Sequence, residues 1–255
     1  MDRSSNQKYI ICMVSKSQIK LINRLKHKKY RLLEGLFIAE GVKTIEELLA
    51  SSLIPHHIYT NEPFNFDAKK ETLVSENDLK RISNLKTPNQ AVGIFEIPKP
   101  SPIDPNALII ALDNIRDPGN MGTIIRLCDW FGIEDLICNT ESVDCYNPKV
   151  VQATMGSIAR VNINYLDLEM FLREHELPVY GSFMEGNNVY TLDLPSQGIL
   201  VMGNEAQGIS AEIEALVDQR VSIPRFGRSQ ETESLNVATA TAIMISEFKR
   251  SFIER

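Results

Sequence analysis

No run in the 255-residue chain approaches the roughly 18 consecutive apolar residues of a membrane-spanning helix, so no such span is expected. The N-terminus is polar and basic and no apolar signal core follows it, so the expected location is the cytoplasm. Cysteine is sparse. Cys12, Cys128, Cys138 and Cys145 include no C-x-x-C pair, and the expectation is buried thiols in a reducing compartment. His27, His56, His57 and His175 have no zinc-ligand spacing, so no metal site is expected. Neither a G-x-G-x-x-G fingerprint nor a P-loop occurs, which argues against nicotinamide dinucleotide and ATP as ligands. Internal repeats and low-complexity tracts are also lacking. What remains, 43% hydrophobic and 24% charged residues, is the composition of a globular protein, and the length suits one large or two small domains.

A net charge of −6 argues weakly against a polyanionic partner, but its distribution reverses that impression. Residues 1–31 hold nine basic side chains (Arg3, Lys8, Lys16, Lys20, Arg24, Lys26, Lys28, Lys29 and Arg31) against Asp2 alone. That segment carries +8, which leaves −14 on residues 32–255. A basic segment on an acidic body is a candidate nucleic-acid contact, with Lys26, Lys28, Lys29 and Arg31 as its candidate residues; a solvated helix face is the alternative.

"PKPSPIDPN", residues 98–106, has four prolines in nine positions and predicts a stiff linker. It separates an N-terminal domain, 1–97, from a C-terminal domain, 107–255. In the first domain the patterning predicts helices over 17–29, 42–51 and 76–83 and strands over 36–41, 56–60 and 91–97. In the second it predicts strands over 107–112, 135–138, 161–165, 178–183, 198–202 and 220–223, and helices over 120–131, 148–159, 167–176, 210–217 and 234–252. Such alternation means an α/β domain with a mostly parallel sheet, whose ligands bind beyond the carboxyl ends of the strands. The polar loops 113–120, 203–208 and 224–234 all fall at such ends.

In the first loop, Asn120 suits a helix N-cap, and Ile124, Leu127, Cys128 and Phe131 then form an apolar face. Arg126 is off that face. It could serve a ligand approaching beside Gly122, or it could pair with Asp129 or stack on Trp130. In the second loop, "LVMGNEAQGIS", two glycines let backbone groups face a ligand; Glu205 at the strand end is either a site acid or a solvated loop acid. In the third, Ser234 can cap the last helix and Asn236 falls in its first turn. Residues 235–245 are apolar or small nearly all round, which suits either a subunit interface or an internal core helix.

"DNIRDPGNMGTIIR", "VMGNEAQGIS" and "IPRFGRSQETESLNVATA" resemble, in order and spacing, the three signature motifs of the SpoU (TrmH-type) branch of the SPOUT RNA methyltransferases. The resemblance is close over 107–250. Residues 20–97 more loosely resemble the small ribosomal-protein-like RNA-binding domain that often precedes it. The family implies a parallel sheet whose C-terminal part threads into a trefoil knot, a homodimer through the last helix, and methyl transfer from S-adenosylmethionine to a ribose 2′-hydroxyl of RNA, with rRNA expected over tRNA. A non-catalytic RNA-binding relative of the same fold is the alternative. Residue by residue, the resemblance assigns catalytic roles to Asn120, Arg126, Glu205, Ser234 and Asn236. It assigns the cofactor pocket to Met202, Gly203, Asn204, Gly208, Ile223, Pro224 and Leu235, and to Thr154 within "ATMGSIAR". A guanidinium keeps its proton in proteins, so Arg126 is expected to hold a phosphate and stabilise a developing alkoxide more than to act as base. The connection between Gly227 and Ser234 holds six residues, longer than the family's usual one, and is expected to act as a lid that orders on ligand binding.

Overall fold

The computed structural model describes residues 11–64, 66–67, 69–85, 87–227 and 234–253. The chain divides into two compact units, Met1–Pro98 with Tyr146–Ala159, and Lys99–Cys145 with Arg160–Arg255. The short segment 146–159, sequentially part of the C-terminal stretch, thus clusters with the first unit.

The first unit contains α1 (Lys16–Leu25), α2 (Lys28–Glu34), β1 (Leu36–Glu40), α3 (Val42–Leu49), β2 (Pro55–Thr60), β3 (Glu71–Leu73), α4 (Glu76–Ile82) and β4 (Ala91–Glu96). Its sheet runs β1-β4-β2-β3, antiparallel except where β3 lies parallel to β2. Ile22 and Leu25 of α1 and Leu79 and Ile82 of α4 pack on Leu36, Ile38, Val92 and Ile94 of the sheet. Ser15 starts α1 with a capping box, its hydroxyl accepting from the Gln18 amide while the Gln18 side chain accepts from the Ser15 amide. The single helix expected over 17–29 is two helices, because His27 adopts an extended conformation and restarts the chain as α2. Strand β3 has no counterpart among the expected elements. Three residues, Glu-Thr-Leu, carry too little alternation to register.

The second unit is built from β5 (Leu108–Leu112), α5 (Pro118–Phe131) and β6 (Asp135–Cys138), then, after α6 (Pro148–Thr154) of the first unit, β7 (Asn162–Tyr165), α7 (Leu168–Glu174), β8 (Val179–Asn188), β9 (Gly198–Met202), α8 (Ala211–Glu214), β10 (Gln219–Ser222) and α9 (Val237–Ile253). The six strands run in the order β10-β8-β9-β5-β6-β7 and every pairing is parallel. The expected strands at 135–138 and 198–202 are reproduced residue for residue. β5 and β9 are buried along their whole length, as strands covered on both faces must be. On one face Ile109, Ala111, Ile199 and Val201 pack against Leu168, Phe171 and Leu172 of α7 and Ile213 of α8. The helix expected over 148–159 stops at Thr154, because Met155 (φ 52°) and Gly156 (φ 96°) are left-handed, and a short 3₁₀ turn follows. Cys128, Cys138 and Cys145 are buried as expected, while Cys12 is exposed. Burial pushes the Cys138 thiol up to about 12, and the Tyr165 hydrogen bond opposes that shift.

Among the described residues no helix is long and apolar enough to cross a membrane. The expected lid, residues 228–233, lies outside the described residues.

Candidate active site

The carboxyl ends of β5, β9 and β10 deliver the three polar loops to one end of the sheet. β5 lies between β9 and β6, and the chain leaves β5 into α5 there. The helix begins earlier than the patterning predicts. Asp117, not Asn120, is the N-cap: its Oδ1 accepts from the Asn120 amide at 2.8 Å, and Pro118 takes the first helical position. The Asn120 side chain is therefore released from capping.

It is used across the loops instead. Asn120 Nδ2 donates to Glu205 Oε1 at 2.6 Å, and Asn120 Oδ1 accepts from Asn236 Nδ2 at 2.8 Å. Asn236, in turn, rather than Ser234, caps α9, with Oδ1 accepting from the Thr239 amide at 3.2 Å. Both ends of this chain have fixed polarity: a backbone N–H can only donate and a carboxylate can only accept. The two amides between them are consequently locked into one orientation each. Three motifs far apart in sequence meet at one side chain, Asn120.

The second loop is shaped by its own backbone. Asn204 and Gly208 exchange two backbone hydrogen bonds, at 2.9 and 2.8 Å. A Cβ on Gly203 would lie 2.3 Å from the Gly208 carbonyl carbon, and Gly208 has φ +72°. The space at Gly203 is thus taken by the loop's return strand rather than left for a ligand. The Asn204 side chain also faces inward. Its Nδ2 donates to the Asn114 carbonyl at 2.7 Å and its Oδ1 accepts from the Ala206 and Gln207 amides.

Asp113, which the sequence did not single out, holds these loops together. It is buried, with Oδ1 accepting from Asn139 Nδ2 (2.9 Å) and Asn114 Nδ2 (3.1 Å), and Oδ2 from the Ser210 amide (2.7 Å). The last residue of the 203–210 turn is thereby tied to the end of β5. At the other flank, Lys249 Nζ of α9 donates to the Gly132 carbonyl beyond α5 at 3.3 Å. Burial lowers the Lys249 pKa, and Glu134 opposes that.

A cleft of about 830 Å³ opens beside the polar chain. Of the sequence-predicted cofactor residues, Met202, Gly203, Asn204, Gly208, Ile223, Pro224 and Leu235 line it, and so do Glu205 and Ser234. Thr154 does not. It belongs to the first unit, fully buried, and its hydroxyl donates to the Val151 carbonyl at 2.7 Å. The far wall, Ser182, Phe183, Met184 and Glu185, lies outside the three motif loops. It exists because the β8–β10 register jumps from Gly181–Arg220 to Asn187–Val221, skipping residues 182–186 on β8. A Cβ on Gly186 would meet the Arg220 carbonyl oxygen at 2.8 Å, so glycine is what allows the strands to come back together. Arg220 lines the same wall, with its guanidinium 3.7 Å from the Phe183 ring centroid and ion-paired with Glu214.

Arg126 is exposed and outside the cleft lining, with no hydrogen bond or ion pair among the described residues. The expected alternative, a pair with Asp129, is not formed. Asp129 is held by Arg160 through its Nε and Nη2, the closer contact at 2.8 Å. Trp130 is exposed one turn further on. In the first unit Lys28 and Lys29 are exposed and Lys26 is half-buried. Arg31 differs from the expectation of a surface cation. It is only 2% exposed, and its Nη1 donates to the Leu25 carbonyl at 2.9 Å, closing the end of α1.

Comparison with known proteins places this geometry in a family. Residues 107–246 match the profile of the SpoU rRNA methylase family, and residues 16–93 match that of the MRM3-like substrate binding domain. A solved structure of a TrmH-family protein from Porphyromonas gingivalis is 38% identical, covers 94% of this chain and 99% of that one, and superposes with a TM-score of 0.85. The AdoMet-bound rRNA methyltransferase from Sinorhizobium meliloti is 32% identical, with 95% and 97% coverage and a TM-score of 0.84. A 23S rRNA (guanosine(2553)-2′-O)-methyltransferase from Bacillus subtilis is 27% identical over 237 residues, 89% of this chain and 94% of that protein. With one family profile spanning more than half of the sequence and a 38% identical relative matching nearly all of it, the chain belongs to the SpoU rRNA methylase family.

Proposed function

We propose that the protein transfers a methyl group from S-adenosylmethionine to a ribose 2′-hydroxyl of RNA, with rRNA as the substrate class. The observation that carries this reading is the oriented chain Asn236–Asn120–Glu205 at the edge of the cleft lined by Gly203, Ile223 and Leu235. The names of the S. meliloti and B. subtilis relatives favour rRNA over tRNA.

The cleft suits the cofactor. Met202, Ile223, Pro224 and Leu235 give apolar walls for its adenosine, and the tight 203–208 turn, closed on its own backbone hydrogen bonds, forms a rigid border. When bound, the cofactor supplies a methyl group already activated by its sulfonium. The protein's part is then positioning, which can contribute on the order of 7 to 11 kcal/mol in favourable cases. Asn120 occupies one oxygen of Glu205, and Oε2 makes no bond among the described residues. In this reading Oε2 accepts the hydroxyl proton, while Ser234 and Asn236 orient the ribose. Arg126 holds the adjacent phosphate and stabilises the developing alkoxide. The N-terminal domain, 1–97, supplies RNA affinity from its basic α1–α2 surface. The chain acts as a cytoplasmic homodimer through the outer face of α5 and α9, and its C-terminal segment is threaded as the family's trefoil.

Calorimetry with S-adenosylmethionine, followed by tritium transfer from labelled cofactor to total RNA, tests the proposal. Binding and transfer are expected. Binding of RNA without cofactor affinity would instead indicate a non-catalytic relative. Mapping 2′-O-methyl positions in rRNA and tRNA of a deletion strain identifies the target.

A further inference from the structure

Phe226 is the most exposed aromatic residue of the cleft lining, and the cofactor reading gives it no task. It lies just after Ile223 and Pro224, lines the cleft, and is 83% exposed. Its one ring neighbour among the described residues is Tyr190, 6.4 Å away centroid to centroid and tilted by 33°. Tyr190 is itself 41% exposed, on the short turn that follows β8. Two exposed aromatic rings therefore lie near one another, tilted by 33°, with Phe226 on the wall of the cleft and Tyr190 beside it.

Sites for small molecules bury roughly 70–90% of the ligand. A cofactor ring enclosed to that degree needs the more buried walls at Met202, Ile223 and Pro224, not a side chain with most of its surface in water. A polymer that enters from solvent meets the rim first. Unpaired nucleobases stack on exposed aromatic rings, and every base offers the π-face this requires. We propose that Phe226, backed by Tyr190, is a stacking platform for an unpaired base of the RNA substrate, next to the nucleotide whose ribose enters the cleft. The proposal rests on the RNA-methyltransferase reading above, and its test is separable from it.

The full-length protein is compared with Phe226→Ala and Phe226→Trp in three measurements: affinity for a 23S rRNA transcript by filter binding, affinity for S-adenosylmethionine by calorimetry, and sedimentation. Phe226→Ala is expected to weaken RNA binding about tenfold or more, equivalent to about 1.4 kcal/mol or more, which is within the range for loss of one stacked base. Cofactor affinity and oligomeric state stay as in the wild type, and Phe226→Trp restores RNA affinity. Unchanged RNA affinity overturns the proposal. Weakened cofactor binding in Phe226→Ala also overturns it, by assigning the ring to the cofactor's adenine, and a change of oligomeric state does so by assigning it to a second copy. RNA binding that the tryptophan variant fails to restore rules out stacking. Absence of methyl transfer in the wild type refutes the function proposed above, and the RNA affinities still decide the platform.

Discussion

A carboxylate buried as deeply as Asp113 keeps its place only if donors saturate its oxygens, and here three do, from Asn114, Asn139 and the Ser210 amide. Asp113→Ala strands those donors in a dry pocket. Hydrogen bonds to charged groups contribute roughly 1.5–3 kcal/mol each, so a loss of about 3 kcal/mol is expected, a fall of about 6–12 °C in the unfolding midpoint. Cofactor affinity should fall with it, because the 203–210 turn loses its tie to β5. An unchanged midpoint in a thermal scan would mean that Asp113 does not hold the loops. The contrast with Asn120 shows what a sequence makes legible at this scale. Asn120, Glu205 and Asn236 stand in recognisable motifs at strand ends, which points to one site, even though Asp117 and Asn236 do the capping that the pattern offers to Asn120 and Ser234. Asp113 does its work through partners 26 and 97 positions away, and no local pattern encodes that.

Helices with a clear amphipathic stripe, such as α3, were legible almost to the residue, while their breaks were not. The left-handed Met155 and the extended His27 are ordinary-looking residues whose backbone is set by tertiary context. The skipped register of β8 likewise interrupts the period of two that reveals a strand. For α9 the composition suits burial on several sides, and the protomer buries one of them. Val237, Ala238, Thr241, Met244, Ile245 and Phe248 are buried, with Phe248 edge-on to Tyr180 at 5.2 Å, whereas Ala242 and Ile243 are half-exposed and Ser246 is exposed. This separates two substitutions that look equivalent in the sequence. Ala238 is 3% exposed, so Ala238→Arg places a charge in the protomer core and should prevent folding. Ala242→Arg should leave the protomer folded by circular dichroism but shift the proposed dimer to monomer in sedimentation at micromolar concentration. A wild type that already sediments as a monomer would remove the dimer from the proposal.

For the whole molecule, an acidic protein that must bind a polyanion needs its cations gathered in one place. Of the basic residues grouped at residues 16–31, Arg31 is internal and Arg24 is paired with Glu34 at 3.2 Å. Among the five lysines of that stretch, Lys26, Lys28 and Lys29 are the candidate contacts read from the sequence. Neutralising these three should flatten the slope of log K against log salt by roughly 0.7–0.9 for each phosphate that a lysine no longer neutralises. Arg31→Ala should lower stability and leave the slope alone, and an unchanged slope in the triple variant would reduce these lysines to a solvated face. The position of Arg126 raises a question that only the assembly answers. It stands off the cleft lining of its own chain, on the helix that packs against α9, and if those two helices form the dimer face it is offered to the partner's substrate rather than to its own. Arg126→Ala and Glu205→Ala should each abolish transfer, the first without loss of cofactor affinity. Unfolding and refolding the two inactive proteins together gives mixed dimers. If Arg126 serves the partner's cleft, one of the two sites in each mixed dimer is complete, and random pairing returns about a quarter of wild-type activity. If Arg126 serves its own cleft, every site in the mixture carries a defect and activity stays at the background of the single variants, which would place its phosphate contact within one protomer.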